Sequence, residues 1–164
     1  MTGVQTCALP IFLLRDDIET IHAATDLLAE AKLSPELRNE ALYYRAKAYT
    51  KQKADKKAME DYRELAKDTR NSYGAEAKYQ VAQSLYDAKE YAAAEKELLN
   101  YIEQSTPHAY WLARSFILLS DVYHATGKDL DARQYLLSLQ QNYQGNDDIE
   151  SMIESRLSKL KVEN

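Results

Sequence analysis

Hydrophobic and polar positions along this chain fall into a pattern that repeats three times. The segments ALYYRAKAYTKQKADKKAMEDYRELA (from Ala41), AKYQVAQSLYDAKEYAAAEKELLNYI (from Ala77) and SFILLSDVYHATGKDLDARQYLLSLQ (from Ser115) share one inner spacing. In each, a small residue (Ala46, Ala82, Ser120) precedes a large one by three positions (Tyr49, Leu85, Tyr123). Twelve positions after the small residue comes an alanine (Ala58, Ala94, Ala132), then a large residue four further on (Tyr62, Leu98, Leu136) and another three beyond (Leu65, Tyr101, Leu139). Steps of three and four place side chains on one stripe of a helix, and small residues let two helices cross closely. Each segment is therefore predicted to form two antiparallel helices, which bury their stripes only by stacking on the next pair.

Local signals place the helix ends. Ser34-Pro35 and Thr106-Pro107 each offer a capping hydroxyl before a proline suited to the first helical position. Gly127 and Lys128 mark one turn between paired helices, and Asp55 and Asp129 are suited to cap second helices. Residues 12–33 read as a partial unit, mainly its second helix, with Ile18, Ile21, Leu27 and Leu28 as the stripe. The three full units span 34–71, 72–105 and 106–146. Residues 147–164 follow as a capping helix and tail: Asp147 or Asp148 caps it, and Ile149, Met152, Ile153, Leu157 and Leu160 form one apolar face. Glu150, Glu154, Ser155, Ser158 and Lys159 form its polar face, the arrangement of a helix that closes a stack against solvent.

Composition agrees with an all-α fold. The 164 residues include only 4 glycines and 3 prolines, too few for many tight turns, and good helix formers dominate. A net charge of -5 opposes the counterion release on which nucleic-acid affinity rests. The densest basic stretch, Lys51 to Lys57, is predicted to be a solvated turn between helices. No apolar run approaches the ~18 residues that cross a bilayer. A single cysteine, Cys7, rules out an intrachain disulfide.

The first residues break the pattern. The run Ala8 to Leu14 lacks the basic flank of a secretory signal and contains Pro10. Thr2 to Ile11, TGVQTCALPI, looks like the in-frame translation of a sequencing-adapter oligonucleotide. Residues 1–11 are accordingly expected to be foreign to the fold, with the true start of the gene product lost upstream.

The small, large and alanine positions of residues 36–143 resemble the tetratricopeptide repeat (TPR), a family of helix-turn-helix units. The resemblance implies a TPR-like α-solenoid, the C-terminal part of a longer bacterial multi-repeat protein, which serves as a protein-interaction scaffold. Two departures stand out. The family favours leucine just before the first small residue, where this chain has Arg45, Val81 and Leu119. The unit offsets are 36 and 38 residues, longer than the family norm, with the extra residues falling after the second helix. Such lengthening is similar to TPR proteins of the bacterial cell envelope.

In that family the first helices line a concave groove. The corresponding positions here are Glu40, Tyr43, Tyr44 and Lys47, then Glu76, Tyr79, Gln80, Gln83 and Tyr86, then Arg114, Ile117, Asp121 and His124. From these, Tyr43, Lys47, Tyr79, Gln83, Tyr86, Arg114, Asp121 and His124 are singled out as a partner-binding groove, since tyrosine offers broad contact and a hydroxyl at low entropic cost. The carboxylate clamp of one TPR type maps onto Tyr43, Lys47, Gln80, Arg114 and Leu118, of which only Arg114 matches, so that mode of binding is not expected.

Chemistry is sparse. His22, His108 and His124 lie on separate units without metal-ligand spacing, and the glycines are isolated, so no phosphate-cradling loop is read. No catalytic residue, cofactor site or metal site is expected. The predicted function is a non-catalytic scaffold that holds a partner peptide or helix. The alternatives are a structural or self-associating segment of a longer solenoid that stacks on upstream repeats, and a regulatory arm of an enzyme whose catalytic domain lies upstream. Localisation stays open between cell envelope and cytoplasm.

Overall fold

The computed structural model describes residue 12, residues 15–104 and residues 106–160; the adapter-like segment 1–11 lies outside this range. Among the described residues there are eight helices and no strand: α1 (Asp17–Leu28), α2 (Pro35–Lys51), α3 (Asp55–Leu65), α4 (Ser72–Asp87), α5 (Tyr91–Glu103), α6 (Ala109–Ala125), α7 (Asp129–Asn142) and α8 (Ile149–Leu157). Consecutive helices pack against one another. In addition α2 touches α4, α4 touches α6, and α8 touches both α6 and α7. None of the helices among the described residues is long and apolar enough to cross a membrane.

The spacing rule places the core. Ala46, Ala82, Ser120, Ala58, Ala94 and Ala132 are all at most 1 % exposed. Tyr62, Leu98, Leu136, Leu65, Tyr101 and Leu139 are buried beside them. The contact between the two small positions is visible in the third pair, where the Ser120 hydroxyl donates to the Ala132 carbonyl at 3.0 Å. Ile149, Ile153 and Leu160 of the last segment are buried, with Met152 and Leu157 packed at its edge, so the apolar face of α8 is seated as expected. The polar residues Glu150, Glu154, Ser155, Ser158 and Lys159 are exposed.

The three turns within helix pairs are copies of one another. Main-chain bonds run from Lys53 N to Thr50 O and Ala54 N to Tyr49 O, from Lys89 N to Tyr86 O and Glu90 N to Leu85 O, and from Gly127 N to His124 O and Lys128 N to Tyr123 O. In each, the residue seven after the small position is left-handed: Lys53 at φ 56°, Lys89 at φ 60° and Gly127 at φ 76°. Only the third copy uses glycine, for which this conformation carries no Cβ penalty.

Three helix starts differ from expectation. Ser34 caps α2, accepting from Leu37 N at 3.2 Å with Pro35 at the first position. Thr106 does not cap α6, which begins only at Ala109. Its hydroxyl instead donates to Thr69 O at 3.0 Å and accepts from His108 N, because the chain must first cross from one unit to the next. Asp55 and Asp129 sit inside the first turns of α3 and α7 and make no capping bond. Before α8, the residue at the boundary is Asp148, while the carboxylate of Asp147 accepts from Ile149 N at 3.1 Å.

Two further junctions set the spacing of units. Asn71 caps α4 by accepting from Gly74 N at 2.8 Å, and a Cβ on Gly74 would lie 1.9 Å from Asp68 O. That glycine exists for close approach of α4 to the end of α3. At the next junction Thr69 donates to Gln104 at 2.9 Å and the His108 ring meets Arg70 O at 2.9 Å, which laces successive inter-unit loops together. The helix α5 is 13 residues long against 11 for α3, which accounts for the wider offset of the third unit.

The leading helix α1 is covered more fully than a half-unit would be. Ala24 and Ala41 are fully buried with Phe12, whose ring stacks on Tyr44 at 5.3 Å. Of the expected stripe, only Ile18 stays exposed.

Candidate functional site

Three helices each contribute a pair of side chains three residues apart to one cleft. Gln83 and Tyr86 come from α4, Asp121 and His124 from α6, and Arg156 and Lys159 from the α8 segment. With Ser120 and Leu160 they line a cleft of about 470 Å³. Residues spaced by three share one helix face, so the register of the buried stripe also fixes what this opening presents.

One ion pair and one imidazole–carboxylate contact frame the cleft. Arg156 grips Asp121 through two bonds, Nε to Oδ1 and Nη2 to Oδ2, both 2.7 Å, the forked geometry that matches guanidinium to carboxylate. His124 Nδ1 lies 2.8 Å from Asp129 Oδ1. The Tyr86 phenol is raised above its ordinary pKa by burial and then by the negative charge of Asp121, so it stays a hydroxyl that can donate. Lys159, just past the end of α8 and exposed, contributes an ammonium at the rim.

A chain of polar contacts leads away from the opening. Tyr79 donates to Gln83 at 2.8 Å and Gln83 donates to Asp87 at 2.9 Å. Arg114 donates to the Tyr79 oxygen and to the Tyr110 oxygen, each at 3.0 Å, and its guanidinium lies 5.0 Å from the Tyr79 ring centroid. Burial opposes the charge on Arg114, but the two phenol oxygens outweigh it and hold the group above its ordinary value. Asp148 approaches the same guanidinium at 3.9 Å.

Of the eight residues singled out from sequence, the cleft gathers Gln83, Tyr86, Asp121 and His124. Tyr79 and Arg114 stand behind it, and Tyr79 is only 6 % exposed, so its ring is part of the packing. Tyr43 and Lys47 lie apart, near the start of α4. There the Tyr43 hydroxyl donates to Glu76 at 2.9 Å and accepts from Lys47 at 3.0 Å. Burial and the Glu76 charge hold that phenol far above its ordinary value. Ile117 and Leu118, at groove or clamp positions of the family pattern, are core residues at 1 % and 3 % exposure. Gln80 lines an adjoining hollow of about 380 Å³ with Asp55, Met59 and Asp87, and Gln83 borders both openings.

Arg156 was not legible as a site residue. Its pairing with Asp121 spans 35 positions, and only the apolar seat of α8 brings the two together. Lys159 is exposed, as its place on the polar face implies, and stands at the rim. Among the described residues no cluster of three metal-ligating side chains forms.

No protein-family model matches the chain, and no curated protein or solved structure matches it at a significant level.

Proposed function

We propose that the chain is a TPR-like α-solenoid that acts as a non-catalytic protein-interaction scaffold, and that the cleft between α4, α6 and α8 receives a segment of a partner protein. The observation that carries this reading is the convergence of hydrogen-bonding and aromatic side chains from three successive inner helices on one 470 Å³ opening. Its hydroxyl, amide, imidazole and ammonium groups offer donors and acceptors at a spacing that suits an extended peptide. The repeated turn and the α2–α4–α6 contacts support the solenoid.

A photo-crosslinking residue at position 86 tests the reading. It should capture one protein, identified by its crosslinked peptide, and Gln83→Ala with His124→Ala should remove that product while leaving the melting temperature within about 2 °C. The same label at Leu130, which is 66 % exposed on α7, should give no product. Equal products from both positions would reject the cleft.

A structural role is the second reading, favoured by one observation. Ile18 on α1 is a large apolar side chain left 58 % exposed. Dimerisation abolished by Ile18→Glu would support it, and a monomer at all concentrations would reject self-association.

A further inference from the structure

Most polar groups that line the cleft between α4, α6 and α8 are already engaged. Both oxygens of Asp121 accept from Arg156, whose remaining guanidinium nitrogen donates to Met152 O at 3.3 Å. The Ser120 hydroxyl donates to Ala132 O, and the Gln83 amide accepts from Tyr79 and donates to Asp87. The His124 ring meets Asp129 through Nδ1, which leaves only its Nε2 open. Two other groups have no partner, and both are donors. Lys159 takes part in none of the ion pairs among the described residues, and its ammonium offers three hydrogens. The Tyr86 hydroxyl has no bonded side-chain partner among the described residues and keeps its proton.

Charge singles out the same opening. Its lining carries Arg156 and Lys159 against Asp121 alone, an excess of one positive charge with histidine neutral, on a chain whose net charge is -5. The adjoining hollow has the opposite sign. Its lining includes Asp55 and Asp87 and no basic residue, and neither carboxylate belongs to an ion pair among the described residues. The positive excess is therefore local to the α8 side of Gln83, the residue that borders both openings.

We infer that the cleft selects an acidic side chain of the bound segment, an Asp or Glu whose carboxylate accepts from the Lys159 ammonium and the Tyr86 hydroxyl. Donors of these two kinds make short, strong bonds to a carboxylate. A single excess charge matches a carboxylate rather than a phosphate, which carries close to two. The Arg156–Asp121 pair is satisfied internally and anchors the segment that carries Lys159. The inference rests on the reading of the cleft as a peptide site and names the chemistry of what enters it.

Random heptapeptides displayed on phage and selected on the full chain decide the matter, with the affinities of the enriched peptides then measured in solution. The expected peptides share an Asp or Glu at one position, and its replacement by Asn or Gln should weaken binding about tenfold. Lys159→Glu, an exposed substitution that should leave the melt unchanged, should lose these peptides and enrich Lys or Arg at that position instead. Tyr86→Phe, which keeps the ring and removes the hydroxyl, should weaken binding several-fold. Peptides that are lost with Gln83→Ala and His124→Ala, yet share no acidic position or bind Lys159→Glu as tightly as wild type, would overturn the inference and leave the peptide cleft standing. No enrichment, or peptides indifferent to all of these substitutions, would overturn both.

Discussion

The first and third helix pairs follow the same spacing rule and solve the same contact in opposite ways. In the α6–α7 pair the residue before the small position is Leu119, fully buried, and the position three after the alanine of α7 is Tyr135, whose ring packs against Tyr123 and Phe116 at 5.5 and 5.9 Å. In the α2–α3 pair those two positions are Arg45 and Asp61, joined by bonds of 2.8 and 2.7 Å, with Asp61 only 5 % exposed. Arg45 also donates to Thr25 of α1 at 3.1 Å. The polar joint thus does something the apolar one does not, since it ties three helices with one side chain. The cores differ accordingly. One continuous cluster runs from α4 to α8, whereas the N-terminal part holds two smaller clusters. A repeat fixes where two helices meet and leaves open which chemistry holds them there.

The largest effect should come from breaking the polar joint. Asp61→Ala leaves Arg45 unpaired and should cost about 3–5 kcal/mol in urea unfolding, with amides of α1 to α3 losing exchange protection before those of α6 and α7. The double variant Arg45→Leu, Asp61→Leu, which imitates the apolar joint, should recover most of that loss. A double variant as unstable as the single one would show that the two joints are not interchangeable.

Next comes the junction where the two regions meet. Gly74→Ala drives a methyl against the Asp68 carbonyl and should cost about 1–3 kcal/mol, read as a lowered urea midpoint. An unchanged midpoint would mean that α4 shifts freely along α3.

Alkali should stress both regions, through different tyrosines. Burial, reinforced by nearby carboxylates, raises Tyr43 and Tyr62 in the first pair; burial raises Tyr101 in the second and, with nearby hydroxyls and carboxylates, Tyr123 in the third. Tyr143 is pushed up to about 12 by burial and its bond to Asp147. A phenol whose folded-state pKa is raised keeps its proton after the unfolded chain has lost one. Stability from these groups is therefore complete below pH 10.0, the ordinary value, and declines as pH climbs toward and past 12. Melting temperature should fall across that window. Glu40 acts with the same sign at the other end of the scale, because burial raises its carboxyl above 4.5. Glu40→Gln should stabilise the protein at neutral pH, and that gain should vanish below pH 4.5.

The smallest effects sharpen the comparison of turns. Lys53→Gly and Lys89→Gly relieve left-handed lysines and should each gain about 0.5–1 kcal/mol. Gly127→Ala, whose new Cβ meets nothing within 4 Å, should lose about 1 kcal/mol from the backbone alone.

Much of this architecture could be read from the chain because burial follows period. The small, large and alanine positions are buried in every copy, and the apolar face of the last helix is seated as its spacing implies. What could not be read depends on other information. Two of the three turns carry lysine at the left-handed position, where glycine is the residue that announces such a turn, so only Gly127 was visible. Thr106-Pro107 has the residues of a helix start and is used as an inter-unit strap. Arg45 looked like a departure from an apolar rule until its partner Asp61, sixteen positions away, explained it. In the candidate cleft, the residues on α4 and α6 are ones that the family resemblance assigned to a groove, while Arg156 required knowledge of where α8 docks.

The repeated turn has an evolutionary corollary. Its closing bonds are all main chain to main chain, so its shape does not depend on which side chains are written there. A stretch of gene copied in tandem carries a working hinge with it, and later mutations can rewrite the lettering of that hinge, lysine for glycine included, without unmaking the joint.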